Sequence, residues 1–228
     1  MSQPVASLPD VESEAQNASI VDLLRRRITG AFETDEFGLD VELMQIFDPL
    51  VSLRWNIEVK NAGVVPAIGP AVIVANRRFG VSEPIVLGRG VRLATGRRAR
   101  FLGVPDIAPV GPILRRVGGA VDRPEELHSL LRLGHVVTLS LKRSIRQRGK
   151  AGTVPAFSLE PALALGVPVI PAAVIGREVG RRWHVVLGDP IPRLSGSGPL
   201  AMAELADEAR MRVQALLDEA TPPHWLMG

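Results

Sequence analysis

The chain has 228 residues and a net charge of +3, with 27 lysines and arginines against 24 aspartates and glutamates. This length can bury a substantial core as one domain, without support from disulfides or metals. Cysteine is absent, so disulfides and thiolate metal sites are excluded and a reducing compartment is indicated.

The first 53 residues are predicted to precede the main domain. Residues 1–17 are small and polar with scattered acids, and we expect them to be a disordered lead-in. They lack the basic and apolar regions of a secretory signal or membrane anchor, which favours a cytoplasmic protein. Residues 18–53 are expected to form a helical extension, because apolar residues recur at helical spacing over 20–28 and Asp40 can cap a second helix. The acidic polar faces of both helices favour packing on the sheet over packing on an anionic membrane.

Residues 54–228 show the alternation of strands and helices that is typical of an α/β domain. Strands are predicted over 55–59, 71–75, 100–104, 120–122, 136–141, 167–175 and 183–187, and helices over 83–87, 110–117, 125–133, 157–165 and 201–220. Short helices between strands predict a largely parallel mixed sheet that helices flank on both faces. Such sheets bind ligands at the carboxyl ends of their strands.

Charge is distributed unevenly along the chain. Residues 1–50 contain ten acids against three arginines, whereas residues 77–150 contain sixteen lysines and arginines against five acids. The basic region attracts phosphates in general, whether they belong to lipid headgroups, coenzyme A or nucleic acid. Nucleic acid is the least favoured of these partners, because only Phe79 and Phe101 interleave the cations with aromatic rings.

The most informative segment follows the second predicted strand. The apolar run Ala71–Ala75 ends at Asn76, and a polar loop then leads to Glu83 and Pro84. A buried parallel strand delivers side chains to a site in this way. In this setting the segment resembles the first signature block of the glycerolipid (lysophosphatidate-type) acyltransferase superfamily, which reads NHxxxxD. Arg77 stands where that motif has its histidine, and Glu83 lies one residue further from Asn76 than the motif's aspartate.

Further segments resemble the same superfamily in order, so that the resemblance covers residues 55–192. Residues 105–123 are similar to its second block, which ends in an arginine that holds the phosphate of the acyl acceptor. The resemblance assigns that role to Arg123, and a guanidinium suits it because its donors form a planar fork. A surface arginine that merely caps the end of a strand is the alternative.

The third block is the most altered one. Residues 142–150 hold five cations where the superfamily has the glycine loop PEGTR followed by GK. Gly149 and Lys150 match the trailing pair, and Arg146 matches the arginine if the loop is registered one residue over. The cations must be solvated or bound to an anion, because unpaired burial is strongly unfavourable. Residues 166–176 resemble the fourth block, an apolar strand with two prolines, and support the fold.

The resemblance implies acyl transfer from a thioester to a lipid hydroxyl, with the histidine as the base that accepts the hydroxyl proton. Arg77 cannot take that role, because a guanidinium stays protonated at any working pH. We therefore expect a degenerate site that binds an acyl lipid, such as a lysophospholipid, or a partner acyltransferase. The alternative is an active acyltransferase that uses Glu83, or a histidine such as His184, as its base. Acyl-CoA or acyl carrier protein would then be the co-substrate.

The sequence thus gives a short set of candidate site residues. Glu83 is the candidate catalytic residue, and the candidate substrate-binding residues are Asn76, Arg77, Arg78, Arg123, Arg143, Arg146 and Lys150. No metal ligands and no bound cofactor are predicted, and motifs of serine hydrolases, zinc peptidases and nucleotide-binding proteins are absent from the sequence. The basic region also predicts contact with an anionic membrane surface. This contact would place a cytoplasmic protein peripherally on the inner face of the membrane.

Overall fold

The structure is a computed structural model that describes residue 25 and residues 33–77, 82–142, 151–193 and 196–220. The predicted lead-in and most of the first predicted helix lie outside these residues. Within the described ranges, no helix combines the length and the apolar character that crossing a bilayer requires.

The described elements follow the predicted order. They are α1 Val41–Arg54, β1 Asn56–Lys60, β2 Ala71–Ala75, α2 Ser82–Thr95, β3 Ala99–Leu102, α3 Val110–Arg116, β4 Gly119–Ala120, α4 Pro124–Arg132, β5 Val136–Ser140, α5 Glu160–Leu165, β6 Val169–Gly176, β7 Arg182–Leu187 and α6 Pro199–Ala220. Short 3-10 turns cover Ala62–Val64 and Ala156–Leu159. All seven predicted strands are confirmed, and the predicted second helix starts after Asp40, whose carboxylate accepts a hydrogen bond from the Leu43 N–H.

Helix α2 is longer than the sequence predicts. The prediction ended it at Leu87, before two glycines that lower helix propensity, but the helix continues to Thr95. Packing explains the difference, because Gly90 lets the helix approach the sheet closely. A Cβ atom added at Gly90 would lie 3.0 Å from a methyl group of Val185.

The seven strands form one sheet in the order β1-β7-β6-β2-β5-β3-β4. Neighbouring strands are parallel except for β6 and β7, which are antiparallel. The five strands from β6 to β4 in this order therefore end at the same edge of the sheet, which we call the carboxyl edge. The opposite edge is called the amino edge. The predicted mixed, largely parallel sheet is confirmed.

The core lies on both faces of the sheet, and β2 is at its centre. All five residues of β2 are buried, and successive side chains point to opposite faces. Val72 and Val74 pack in the core under α4, α5 and α6, whereas Ile73 packs in the core under α2. Burial on both faces explains why the sequence of β2 is a continuous apolar run rather than an alternating one.

Helix α1 attaches to the body of the protein differently from the other long helices. It packs against α2 and β1, but none of its residues is buried. Several of its contacts are polar. The Arg54 guanidinium donates to the carbonyl groups of Glu178 and Gly180, both at 2.9 Å, and Arg181 donates to the carbonyl of Leu53 at 2.8 Å. Helix α1 therefore packs on the α/β domain, as predicted, but beside the edge strand β1 rather than over a face of the sheet.

A buried cation lies near the amino edge. The Arg100 side chain on β3 is only 2% exposed, forms an ion pair with Asp35 and lies over the ring of Phe37 at 5.9 Å. Burial lowers the pKa of Arg100 to about 10. The ring of His135, which precedes β5, meets the Phe37 ring edge to face at 6.0 Å. Residues 35–37 thus form a cover over this edge that sequence patterns did not predict.

We expect the stability of the protein to fall as the pH drops below about 6.5, in part because of His135. Burial and the positive charges of Arg100 and Arg97 lower the pKa of His135, and only the Glu36 carboxylate raises it. At such a pH the unfolded chain binds a proton at this histidine that the folded protein does not bind, so protonation favours unfolding. His135→Phe keeps an aromatic ring and removes the proton site.

Urea denaturation at about pH 7.5 and about pH 5.5 measures this effect as a change in the free energy of unfolding. The loss of stability on acidification should be smaller in His135→Phe than in the wild type. An equal loss in both proteins would show that His135 does not contribute to the pH dependence.

Candidate functional site

Asn76 marks the point where β2 ends at the carboxyl edge. Its side chain is buried, its Oδ1 accepts from the Val174 N–H at 2.6 Å, and its Nδ2 donates to the Val174 carbonyl at 3.0 Å. The amide therefore continues the pairing of β2 with β6 beyond the end of the strand. This arrangement anchors the start of the loop, whereas the substrate-binding role assigned to Asn76 stays a prediction.

Arg77 follows directly and is exposed to solvent at the carboxyl edge. Because the amide of Asn76 fixes the chain one residue earlier, the backbone of Arg77 is held next to the end of β2 and its side chain is exposed there. It carries donors for an anion and no group that can accept a proton. Arg78 lies outside the described residues.

Ser82 and Glu178 form a contact at this edge that the sequence did not predict. Counted from Asn76, the aspartate position of NHxxxxD falls on Ser82, the first residue of α2. The Ser82 hydroxyl donates to Oε2 of Glu178, and the Ser82 N–H donates to Oε1 at 3.4 Å. A carboxylate is stabilised at the start of a helix by the unpaired N–H groups there. Glu178 lies in the connection between β6 and β7, so its contact with Ser82 joins this connection to the start of α2.

Glu83 lies on the inner side of α2 and is 2% exposed, in the same helical stretch as the buried side chains of Val86 and Leu87. A base must come within hydrogen-bond reach of the hydroxyl that it deprotonates. In the described conformation, burial keeps the Glu83 carboxylate away from solvent at the carboxyl edge. The catalytic role of Glu83 remains a prediction that this burial does not favour.

Arg123 lies at the same edge, directly before α4 and close to the end of β4. Its side chain is 59% exposed and pairs at 2.8 Å with Asp106, which follows β3. Three strand spacings separate β2 from β4, so Arg77 and Arg123 belong to positions about 14 Å apart along the edge. The neighbouring Asp122 accepts a hydrogen bond from the buried Ser158 at 2.9 Å. This bond fixes the short connection from β4 to α4.

The basic loop predicted at 142–150 begins and ends beside β2. Lys142 and Thr153 form an antiparallel bridge through two backbone hydrogen bonds of 2.7 and 3.0 Å. The Ala151 N–H donates to Oε1 of Gln214 on α6 at 2.6 Å. Both flanks of the loop are therefore fixed at the carboxyl end of β5, the direct neighbour of β2. Arg143, Arg146 and Lys150 lie outside the described residues.

His184 is the histidine for which the sequence suggested a position near the site. It pairs across the sheet with Ile175, close to the end of β6, and its side chain is 43% exposed. Its Nδ1 lies 3.2 Å from Oε2 of Glu58 on β1. Two strand spacings separate β7 from β2, or about 10 Å. The His184 and Glu58 pair therefore lies at the same edge as Asn76, beyond direct contact with it.

A largely parallel seven-stranded sheet with polar residues at the carboxyl edge defines the class of fold. The structure is similar to the crystal structure of the 1-acyl-sn-glycerophosphate (LPA) acyltransferase PlsC from Thermotoga maritima, with a TM-score of 0.58. The match covers 79% of this chain and 82% of that chain, at 16% sequence identity. This chain therefore shares the fold of that acyltransferase, and the predicted fold class is confirmed.

Sequence comparison finds relatives in mycobacteria. The chain is 28% identical over 265 aligned positions to uncharacterised proteins of Mycobacterium tuberculosis and Mycobacterium bovis, a match that covers 88% of this chain and 73% of theirs. An uncharacterised protein of Mycobacterium leprae is 25% identical over 270 positions. No family model matches the chain. The names of these relatives give no activity.

Proposed function

We propose that this protein binds an acyl lipid with an anionic headgroup, such as a lysophospholipid, at the carboxyl edge and does not transfer the acyl group. The observation that carries the proposal is Arg77, exposed beside the end of β2. The acyltransferase resemblance requires a proton acceptor at that position, and a guanidinium is a permanent donor. The substitution therefore removes the base while it adds a group suited to phosphate.

The charges along the edge support a headgroup site. Arg77 and Arg123 are both exposed, and a guanidinium offers a planar set of donors that fits a phosphate. Arg123 would exchange its exposed pair with Asp106 for the phosphate. The cations between the fixed flanks Lys142 and Thr153 would add to this field. An anionic membrane surface offers the same headgroups, and a partner acyltransferase would offer an acidic surface.

The second candidate is an active acyltransferase with a different base, for which the His184 and Glu58 pair is the favourable observation. A carboxylate at Nδ1 holds the imidazole in the tautomer whose Nε2 can accept a proton, as in other histidine bases. Such an enzyme would take its acyl group from acyl-CoA or acyl carrier protein. The His184 and Glu58 pair lies on the opposite side of β2 from Arg123, so we prefer the binding function, in which Arg77 and Arg123 hold the headgroup.

Titration calorimetry with monomeric lysophosphatidate tests the binding function. The double variant Arg77→Ala/Arg123→Ala should bind at least about tenfold more weakly than the wild type, because a hydrogen bond to a charged group contributes about 1.5 kcal/mol or more. Arg132→Ala is the matched control, since Arg132 is an exposed arginine at the far end of α4. It should bind like the wild type.

Equal affinity of the wild type and the double variant would contradict the proposed site. An equal affinity for lysophosphatidate and for an uncharged monoacylglycerol would contradict headgroup recognition. Cosedimentation with anionic and neutral vesicles then distinguishes a membrane surface from a free lipid. If the protein binds neither vesicles nor free lysophosphatidate, a protein partner remains as the explanation of the cations at the carboxyl edge.

A further inference from the structure

A groove with polar and apolar walls lies at the β1 side of the molecule, away from Arg77 and Arg123. It is a groove of about 340 Å³ between α1, α2 and the start of β1, and its lining residues are Ser52, Trp55, Asn56, Ile57, Arg89 and Leu93. Arg89 lies seven residues after Ser82 on α2, which corresponds to about 10 Å along the helix axis. The start of β1 lies three strand spacings, or about 14 Å, from β2 and on the side away from β4, so the groove is separate from Arg77 and Arg123.

Arg89, which lines the groove, belongs to a group of charges on α1, α2 and the residue directly before β3. Three arginines, Arg89, Arg92 and Arg98, converge on the single carboxylate of Asp48. Arg89 and Arg98 lie 3.8 and 3.6 Å from its oxygens, and the arginine side chains are 20 to 31% exposed. Burial, and to a lesser extent the charge of Arg92, lower the pKa of Arg98. Among the described residues, Asp48 is the carboxylate that pairs with these three arginines, and an excess of positive charge attracts an anion.

Arg89 is held in a fixed orientation where it lines the groove. Its Nη2 donates to the Ser52 hydroxyl at 2.8 Å, and that hydroxyl donates in turn to the Asp48 carbonyl at 2.9 Å. Both partners belong to α1, so the guanidinium is positioned before any ligand arrives. A positioned donor loses less freedom on binding than a flexible one.

The remaining walls are mostly apolar. Trp55, Ile57 and Leu93 line the groove, and Leu93 is 52% exposed although it lies within a packed helix. A ligand that matches both parts must carry one anionic group for Arg89 and a short apolar body for these walls. We propose that the groove binds a small amphipathic anion, with a carboxylate or phosphate head at Arg89.

Tryptophan fluorescence can test the proposal with sodium octanoate, used below its micelle concentration, because Trp55 lines the groove. We expect saturable binding of octanoate that is at least about tenfold weaker in Arg89→Gln, since a charge-assisted hydrogen bond is lost. Leu93→Glu is a second variant at an exposed position outside the arginine group, and its negative charge should weaken octanoate binding by at least as much. Arg132→Gln is the control and should bind octanoate normally.

Two further comparisons test which part of the ligand the groove recognises and whether the groove is independent of Arg77 and Arg123. Octanol and inorganic phosphate should each bind more weakly than octanoate, whereas octyl phosphate should bind comparably. Octanoate should bind Arg77→Ala/Arg123→Ala as it binds the wild type, so this inference can succeed or fail independently of the carboxyl-edge site. Unchanged affinity in both Arg89→Gln and Leu93→Glu, or equal affinity for octanol and octanoate, would overturn the proposal.

Discussion

Asp35→Asn is expected to lower the free energy of unfolding by about 2 to 3 kcal/mol, less than for a fully buried ion pair, because Arg100 is buried but Asp35 is 32% exposed. Arg100 is 2% exposed and would keep its charge in the core without a counter-ion. The substitution leaves the carbonyl-type Oδ1, which accepts from the N–H groups of Phe37 and Leu39 at 3.0 and 2.9 Å. The change in unfolding free energy therefore measures the loss of the Asp35 charge rather than disruption of the turn at residues 35–39.

Urea denaturation of four proteins provides the test. Asp106→Asn removes a carboxylate of the same kind from the exposed pair with Arg123, and it should change stability by less than about 1 kcal/mol. Asp35→Asn/Arg100→Met also removes the buried charge of Arg100 and should be more stable than Asp35→Asn alone. A loss in Asp35→Asn no larger than that in Asp106→Asn would contradict the buried ion pair.

Gly176→Ala is expected to destabilise the protein by about 3 kcal/mol, the upper part of the range for overpacked cores. Gly176 ends β6 and pairs directly with Trp183 on β7, whose ring is 1% exposed. A Cβ atom added at Gly176 would overlap the indole ring. The ring is fully buried and has no space to move into, so the backbone of β6 or β7 would have to shift.

Gly88→Ala is the matched control for this change. Gly88 lies within α2, and a Cβ atom added there meets no other atom within 4 Å. Alanine should stabilise the helix at this position by up to about 1 kcal/mol. Thermal unfolding followed by circular dichroism compares the two variants, and equal midpoints would show that the Trp183 ring does not lie against Gly176.

The fold was predictable because its strands carry strong local signals. The continuous apolar run of β2 indicated a strand buried on both faces, and the structure places it at the centre of the sheet. The length of α2 was not predictable from pattern alone, because Gly88 and Gly90 suggest an end that close packing on Val185 overrides. Local propensity is a weak signal where tertiary contacts decide.

The candidate site was predictable only where one segment of sequence supplies it. The end of β2 located Asn76 and Arg77 correctly at the carboxyl edge. The contact between Ser82 and Glu178 joins residues 96 positions apart, and no local pattern announces it. A loop that follows a predicted parallel strand is the one available signal for Glu178, because such loops lie at the ligand edge. The pairing of Asp35 with Arg100 is equally remote in sequence.

An acyl-transfer assay with lysophosphatidate and a long-chain acyl-CoA tests the central claim most directly. The LPA acyltransferase PlsC from Thermotoga maritima serves as the positive control. We expect no product above a no-protein control from the wild type, because Arg77 cannot accept the hydroxyl proton. Product formation by the wild type that is lost in His184→Gln or Glu83→Gln would contradict the claim and identify the base.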